Sequence, residues 1–148
     1  MIFLIQRVKH AEVVIEGETF SSIKNGLLIL VGIEVDDKAD EIEPLCKKAL
    51  NLRIFADKEN KMKLSLLDSG GDLLVVSQFT LCANTRKGNR PSYTDAARPD
   101  LARPLFDQVV DVFERRLNKK VYTGVFGADM QVSLQNDGPV TIYINSKK

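Results

Sequence analysis

Two short segments combine polar side chains with residues that shape the backbone, and both could carry chemistry. The first is Ser77-Gln78-Phe79-Thr80-Leu81, where an apolar stretch ends in three polar side chains around a phenylalanine. Backbone N–H groups and hydroxyls at a strand end can stabilise a developing oxyanion without any charged residue. A strand edge whose hydroxyls face water fits the same residues equally well, so the segment alone leaves both interpretations open.

The second segment is Asn136-Asp137-Gly138-Pro139-Val140-Thr141. Asn, Asp, Gly and Pro are frequent turn residues, so the pattern by itself predicts a hairpin turn between two strands. Glycine permits unusual backbone angles and close approach by a ligand, whereas proline removes a backbone donor. A cis bond between Gly138 and Pro139 is possible. Such a rigid turn would form a hard wall of the kind that a chiral filter requires.

A basic loop lies between the two segments, and we define it by Arg86, Lys87 and Arg90. Tyr93 follows it and offers an aromatic ring for stacking. The simplest interpretation is a solvated surface loop. The alternative is a contact with phosphates and unpaired nucleotides, which basic and aromatic side chains recognise.

The remaining inventory of catalytic residues is small. His10 is the single histidine, and Cys46 and Cys82 are too far apart in sequence for a Cys-x-x-Cys motif. Both cysteines are predicted to be structural thiols, because no histidine lies near them in sequence. The hydroxyls of Thr80 and Thr141 would need a base to become nucleophiles, and none is evident. Backbone groups, hydroxyls or the substrate itself must therefore do much of the work in any catalysis.

Length and composition narrow the class of protein. The chain has 148 residues, which predicts a single domain over 1–148, and its net charge of +1 disfavours a protein that binds nucleic acid through bulk charge. Its apolar runs are too short to span a bilayer, and the N-terminus lacks the basic region of a signal peptide. Two cysteines cannot build a disulfide framework, so we expect a reducing, cytoplasmic environment and no membrane partner.

Strands are predicted to predominate in the fold. Alternating or continuous apolar patterns mark strands at residues 2–9, 11–15, 19–23, 26–33, 53–55, 73–81, 121–123, 130–135 and 140–144. Residues 57–71 and 84–99 read as polar loops. Because strands and helices do not alternate, the pattern predicts an α/β fold with a mixed or antiparallel, barrel-like sheet and two main helices.

The two helices have recognisable starts and faces. Asp36 and Asp37 are candidate N-caps of the first helix, and Asp100 of the second. Apolar side chains at helical spacing define the faces that we expect to be buried. These are Ile42, Leu45, Ala49 and Leu52 in the first helix and Leu101, Leu105, Val109, Val112 and Leu117 in the second.

The two opening segments resemble the signature motifs of the D-aminoacyl-tRNA deacylases, also called D-tyrosyl-tRNA deacylases. Further similar segments are Gln6-Arg7-Val8, residues 51–55, residues 88–92 and residues 124–128, so the resemblance covers the whole chain. Tyr93 stands where phenylalanine is more usual. Ser77 and Phe79 distinguish the chain from a related animal branch whose first motif reads Pro-Gln-Ala-Thr-Leu.

The resemblance implies a homodimer that hydrolyses the ester between a D-amino acid and the 3′-terminal adenosine of tRNA, with no metal or organic cofactor. It implies a cis Gly138–Pro139 bond that reaches into the partner subunit's pocket, with Val140 and Thr141 beside it. There it would face a catalytic segment made of Ser77, Gln78, Phe79 and Thr80. Arg7 would help to fix the orientation of the loop. The resemblance also implies that glycyl-tRNA is cleared, because such a filter rejects L side chains and glycine has none.

The family resemblance and the small number of candidate catalytic side chains together lead to a hypothesis for the mechanism. The amides near Phe79 and Thr80 would stabilise the tetrahedral oxyanion, and water would attack the ester. The 2′-hydroxyl of the substrate would assist proton transfer, and Thr80 would position the substrate.

Three other functions remain compatible with the residues. The chain could remove L-serine, as the similar editing domain of archaeal threonyl-tRNA synthetases does. It could bind RNA through the basic loop without catalysis, in which case binding would weaken with salt. It could also be a small dimeric interaction protein with no role in RNA biology.

Overall fold

The computed structural model describes residues 1–147 and contains a mixed sheet flanked by helices. The strands are β1 (Ile2–Ile15), β2 (Glu18–Ile23), β3 (Gly26–Gly32), β4 (Phe55–Ala56), β5 (Met62–Leu64), β6 (Asp72–Ser77), β7 (Tyr122–Thr123) and β8 (Gln131–Asn145). The α-helices are α1 (Ile42–Asn51), α2 (Leu66–Ser69) and α3 (Pro99–Leu117). Two short 3₁₀ turns span Ala39–Glu41 and Phe79–Cys82.

The main sheet has the order β2-β1-β3-β6-β7, with β8 paired to β1. Pairs with β1 are antiparallel, whereas β3–β6 and β6–β7 are parallel. The sheet curls so that its edges approach, and the Ser21 hydroxyl on β2 donates to the carbonyl of Thr123 on β7 at 2.7 Å. The predicted α/β class with a mixed, barrel-like sheet and two main helices is confirmed.

Strand β3 is buried on both faces, as its continuous apolar sequence predicts, because a separate layer of the core packs against each face. On one face Leu27 and Ile29 belong to the cluster that includes Val109 and Phe113 of α3. On the other face Leu28 belongs to a smaller cluster inside the curled sheet. This packing fixes the position of β6, the neighbour of β3, whose end forms the candidate site.

The predicted helix caps are wrong. Helix α1 begins at Ile42 after a 3₁₀ turn, and Asp37 instead accepts a hydrogen bond from the Glu34 amide at 2.7 Å and pairs with the ammonium of Met1. Asp100 lies inside the first turn of α3, which begins at Pro99. The acidic side chains near the two helix starts therefore have other partners, as Asp37 does, or lie just inside the helix, as Asp100 does.

The apolar face of α3 also differs from the prediction. Its buried residues are Ala102, Leu105, Phe106, Val109 and Phe113, whereas Leu101 is 42% exposed. These buried positions recur every three or four residues, so the stripe is helical but rotated from the predicted one. In α1 the predicted residues Ile42, Leu45 and Ala49 are buried.

Residues 57–71 are more structured than a polar loop. They contain β5, which pairs with β4, and the single turn α2. A capping box starts that turn, because the Ser65 hydroxyl accepts from the Asp68 amide while the Asp68 carboxylate accepts from the Ser65 amide. The short strand predicted at 53–55 lies at Phe55–Ala56. No helix within residues 1–147 is long and apolar enough to cross a membrane.

Candidate functional site

The first segment begins where β6 ends. Ser77 is the last residue of β6 and faces Val31 of β3, and the Gln78 amide donates to the Val31 carbonyl at 2.8 Å. The chain then leaves the sheet in a 3₁₀ turn over Phe79–Cys82. The strand predicted through Leu81 therefore ends four residues earlier, because the polar side chains follow a turn out of the sheet.

A glycine on the neighbouring strand allows this turn to pack closely. A Cβ at Gly32 would lie 2.9 Å from the Leu81 Cβ and 3.3 Å from the Gln78 carbonyl oxygen. Because a side chain at position 32 would meet the turn itself, Gly32 determines how close the turn lies to β3.

A cavity of about 610 Å³ opens beside the turn. It is lined by the end of β6, by residues from the loop and start of α3, and by the segment that leads into β8. The lining residues are Val31, Ile33, Val76, Ser77, Gln78, Phe79, Tyr93, Ala96, Ala97, Pro99, Ala102, Phe126, Gly127, Ala128, Asp129, Met130 and Val132. Asp129 is the single charged side chain among these, so the described wall holds no pair of charged acid and base groups.

Residues 126–130 line the cavity, although sequence reasoning gave them no role. The signal was present, because Gly124-Val125-Phe126-Gly127-Ala128 was one of the segments that resemble the deacylases. Gly127 has a φ of +78°, and Phe126 lies 6.0 Å, ring centre to ring centre, from Phe106 of α3. This segment therefore forms part of the cavity wall.

Two aromatic rings stand at the mouth of the cavity. Phe79 and Tyr93 are 57% and 41% exposed, and their ring centres lie 5.1 Å apart in an edge-to-face arrangement. Backbone hydrogen bonds between Asn84 and Ser92, at 2.8 and 2.9 Å, tie the base of the intervening loop. The basic loop is exposed within that hairpin-like segment, and its three cations form no ion pair within residues 1–147.

Thr80 is exposed beside Gln78. The carboxamide of Gln78 donates to the Thr80 hydroxyl oxygen, and within residues 1–147 no side chain accepts the proton of that hydroxyl. A nucleophilic hydroxyl needs an acceptor that removes its proton. His10 is an exposed residue of β1 and does not line the cavity.

Both thiols are buried, as expected of structural cysteines. Burial raises the pKa of Cys46 to about 12 and that of Cys82 to about 11. The Cys82 thiol contacts the Ile33 carbonyl oxygen at 3.5 Å behind the 3₁₀ turn. Neither group is a thiolate nucleophile at neutral pH.

The second segment is not a hairpin turn. Residues on both sides of it belong to the single strand β8 and pair with β1, so the chain bulges outward without reversing. The predicted turn and the separate strands at 130–135 and 140–144 are therefore wrong. Gly138 and Pro139 are exposed on the bulge, and the bond between them is cis.

Arg7 lies directly under the bulge. Its guanidinium donates to the Ile54 carbonyl, and its Nε lies 3.1 Å from the Asp137 carboxylate. Gly138 has a φ of +119°, and a Cβ there would lie 2.9 Å from Arg7 Nη2. Glycine is therefore the residue that both the backbone angle and the close packing of Arg7 allow.

The two segments lie apart within one chain. Neither Arg7 nor residues 138–141 line the cavity beside Ser77. In the sheet, β1 and β3 lie between β8 and β6, so the two segments are three strand spacings apart, or about 14 Å measured along the sheet. Ser77, Gln78 and Phe79 thus line one cavity. Arg7 packs against Gly138 outside that cavity.

One acidic cluster has the residue types of a metal site. Oxygens of Glu34, Asp36 and Asp37 lie within 4.8 Å of one another. The Lys147 ammonium lies 3.0 Å from Glu34 and 3.1 Å from Asp37, and it also pairs with Asp36. Together with the Met1 ammonium, these contacts make the cluster an ion-pair network.

Comparison of the sequence with protein families gives a match to the D-Tyr-tRNA(Tyr) deacylase model over residues 4–145. Proteins named D-aminoacyl-tRNA deacylase match along nearly their whole length. One from Bacteroides thetaiotaomicron is 54% identical and covers 99% of this chain and 98% of its own. One from Flavobacterium psychrophilum is 55% identical with the same coverage.

Two solved structures have the same fold. A protein named c-Myc DNA Unwinding Element Binding Protein superposes with a TM-score of 0.92 at 38% identity, covering 98% of each chain. A probable eukaryotic D-amino acid tRNA deacylase superposes with a TM-score of 0.86 at 14% identity, covering 97% of each chain.

Proposed function

The chain belongs to the D-Tyr-tRNA(Tyr) deacylase family, and on that premise we propose how it hydrolyses the ester of D-aminoacyl-tRNA. The reaction releases the free D-amino acid and tRNA and removes D-amino acids from the supply for translation. The single observation that carries the proposal for the site is the cavity formed by Ser77, Gln78 and Phe79 at the end of β6. We propose that residues 1–148 form one such domain and act in the cytoplasm, where aminoacyl-tRNA is used.

The catalytic segment would act through its backbone. The amides of Phe79 and Thr80 begin the 3₁₀ turn, and the first N–H groups of a helical turn have no partner inside it. Donors fixed in this way stabilise the negative oxygen of a tetrahedral intermediate, and one such donor contributes roughly 100- to 1000-fold in rate. Ser77 and Gln78 would hold the ester against these amides.

Proton transfer would use the substrate. The cavity wall has Asp129 as its one charged group, and Thr80 receives a hydrogen bond from Gln78. Water would attack the ester carbonyl, the bond from the carbonyl carbon to the 3′-oxygen would break, and the neighbouring 2′-hydroxyl of the terminal ribose would assist in moving a proton from the water to the departing 3′-oxygen. Thr80 would orient the ribose or the ester, and no metal or organic cofactor would take part.

Selection of the D-enantiomer would come from a second copy of the chain. Gly138 and Pro139 are exposed on their bulge and lie about three strand spacings from the cavity of the same chain. In a homodimer these two residues, followed by Val140 and Thr141, would reach the partner's cavity and form the wall that excludes L side chains. Arg7 would hold the wall from below, and glycyl-tRNA, which has no side chain to exclude, would also be cleaved.

The basic loop would contact the tRNA. Arg86, Lys87 and Arg90 are exposed close to Tyr93 at the mouth of the cavity, where the terminal nucleotides must pass. Phosphate contacts of this kind position a nucleic acid without reading its sequence.

Cleavage of D-tyrosyl-tRNA and L-tyrosyl-tRNA by the wild type and Pro139→Ala tests the proposed function. We expect the wild type to cleave the D-enantiomer alone, and the variant to lose much of the difference because it lacks the proline ring. Pro44→Ala is the control, since Pro44 is an exposed proline of α1 outside both segments. Equal cleavage of both enantiomers by the wild type would contradict the chiral role, and cleavage of L-seryl-tRNA alone would assign the editing activity instead.

Mixing two inactive variants tests the shared site. A Gly138→Ala chain keeps its cavity, and a Gln78→Ala chain keeps its wall, so a mixed dimer contains one site with both parts intact. We expect the mixture to regain activity that neither variant has alone. Failure to regain activity after subunit exchange, confirmed by mass spectrometry of the intact dimers, would place both parts in one chain.

A further inference from the structure

The pairing of β8 with β1 is interrupted at the exposed bulge. Gln6 faces Thr141 and Val8 faces Asn136, so residues 137–140 lie opposite Arg7 alone. A bulge of this size removes hydrogen bonds from the ladder between the strands. Backbone carbonyls on either side of it therefore need other donors.

The Asn136 side chain donates a hydrogen bond to a backbone carbonyl at each end of the bulge. The Asn136 Nδ2 atom donates to the Arg7 carbonyl at 3.0 Å and to the Val140 carbonyl at 2.9 Å. Its Oδ1 accepts from the Thr141 hydroxyl at 3.3 Å, and that hydroxyl accepts from Gln6 Nε2 at 3.3 Å. The carboxamide thus ties the two ends of the bulge to each other and to β1.

We infer that Asn136 is the positioning residue for the Gly138–Pro139 wall. The inference rests on the proposed function, in which this wall contacts the amino acid of the substrate. Asn136 lies at the start of the bulge and is half-buried beneath it, so it acts by holding the backbone. It does not line the cavity that holds Ser77.

The chemistry of the carboxamide is essential to this role. An ionised carboxylate accepts hydrogen bonds but donates none. An Asn136→Asp side chain has nearly the same shape, yet it would place negative oxygens against the carbonyls of Arg7 and Val140. Alanine would leave the two carbonyls without this donor but would add no repulsion.

Asn136→Asp is therefore the main variant, and Gln135→Glu is its matched control. The control makes the same chemical change at the preceding residue, which is exposed on the same strand. We expect Asn136→Asp to lower kcat/KM for D-tyrosyl-tRNA by about 10- to 100-fold, as the loss of two such hydrogen bonds implies. The ratio of D to L cleavage should fall as well, whereas Gln135→Glu should leave both unchanged.

Amide hydrogen exchange gives a readout that does not depend on activity. The amides of Asn136 and Thr141, which lie at the two paired ends of the bulge, should exchange faster in Asn136→Asp, and to a smaller extent in Asn136→Ala, while the rest of the chain exchanges as in the wild type. If Asn136→Asp does not fold, Asn136→Ala carries the same comparison.

Each outcome decides the inference. Faster exchange at Asn136 and Thr141 together with a lower D-to-L ratio supports it. An unchanged ratio, with or without faster exchange, overturns it, and so does a lower ratio without faster exchange. A wild-type chain that does not cleave D-tyrosyl-tRNA would instead overturn the proposed function and remove the role of the wall with it.

Discussion

Gly32 lies in no signature segment and does not line the cavity, yet we expect Gly32→Ala to lower activity. A Cβ there would lie 2.9 Å from the Leu81 Cβ and 3.2 Å from the Cys82 sulfur. Carbon atoms in contact are about 3.5–4.0 Å apart, so the 3₁₀ turn would have to move outward by about 0.6 Å or more. The Leu81 Cβ is fixed to the backbone, so the turn must shift as a unit.

The size of this shift determines the expected losses of stability and of activity. Overpacking by one methyl group in a close-packed region costs about 1–3 kcal/mol in the free energy of unfolding. Displacement of catalytic groups by about 1 Å lowers rates by up to roughly 100-fold. Because the amides of Phe79 and Thr80 move with the turn, we expect kcat/KM for D-tyrosyl-tRNA to fall by about 10- to 100-fold.

Urea denaturation measures the stability, and single-turnover deacylation measures the rate. Gly17→Ala is the matched control, because a Cβ at Gly17 meets no atom within 4 Å and the cost of about 1 kcal/mol comes from its φ of +81°. This control should lose stability but keep its activity. The reasoning would be refuted by a Gly32→Ala protein with wild-type kcat/KM, or by an equal loss of activity in Gly17→Ala.

Three further outcomes are expected. The native protein should resist alkylation by iodoacetamide at neutral pH, because burial raises the pKa of Cys46 to about 12 and of Cys82 to about 11; mass spectrometry would detect any adduct. Replacing the three cations of the basic loop by alanine should raise KM and weaken its dependence on salt, with kcat retained; a fall in kcat alone would speak against a role in binding. A tRNA that ends in 2′-deoxyadenosine should be cleaved slowly by the wild type, and Thr80→Ala should retain part of its rate on normal substrate; the opposite pattern would identify Thr80 as the nucleophile.

Local sequence patterns were enough to predict much of the architecture. The continuous apolar run at 26–33 predicted a strand buried on both faces, because a polar face would require alternation. The small catalytic inventory pointed to backbone chemistry, and the two signature segments identified the family. Predictions about helix starts were weaker, since Asp37 found its partners in Glu34 and Met1.

Long-range pairing decided the rest. The turn-forming residues 136–139 look like a hairpin locally, but β1 is long enough to pair with the chain on both sides of them, so they become a bulge in one strand. The end of β6 at Ser77 depends on the packing of the next turn against Gly32, which no local pattern reveals. Residue types fix what a segment can do chemically, whereas the distance between Ser77 and Gly138 follows from the order of strands across the sheet.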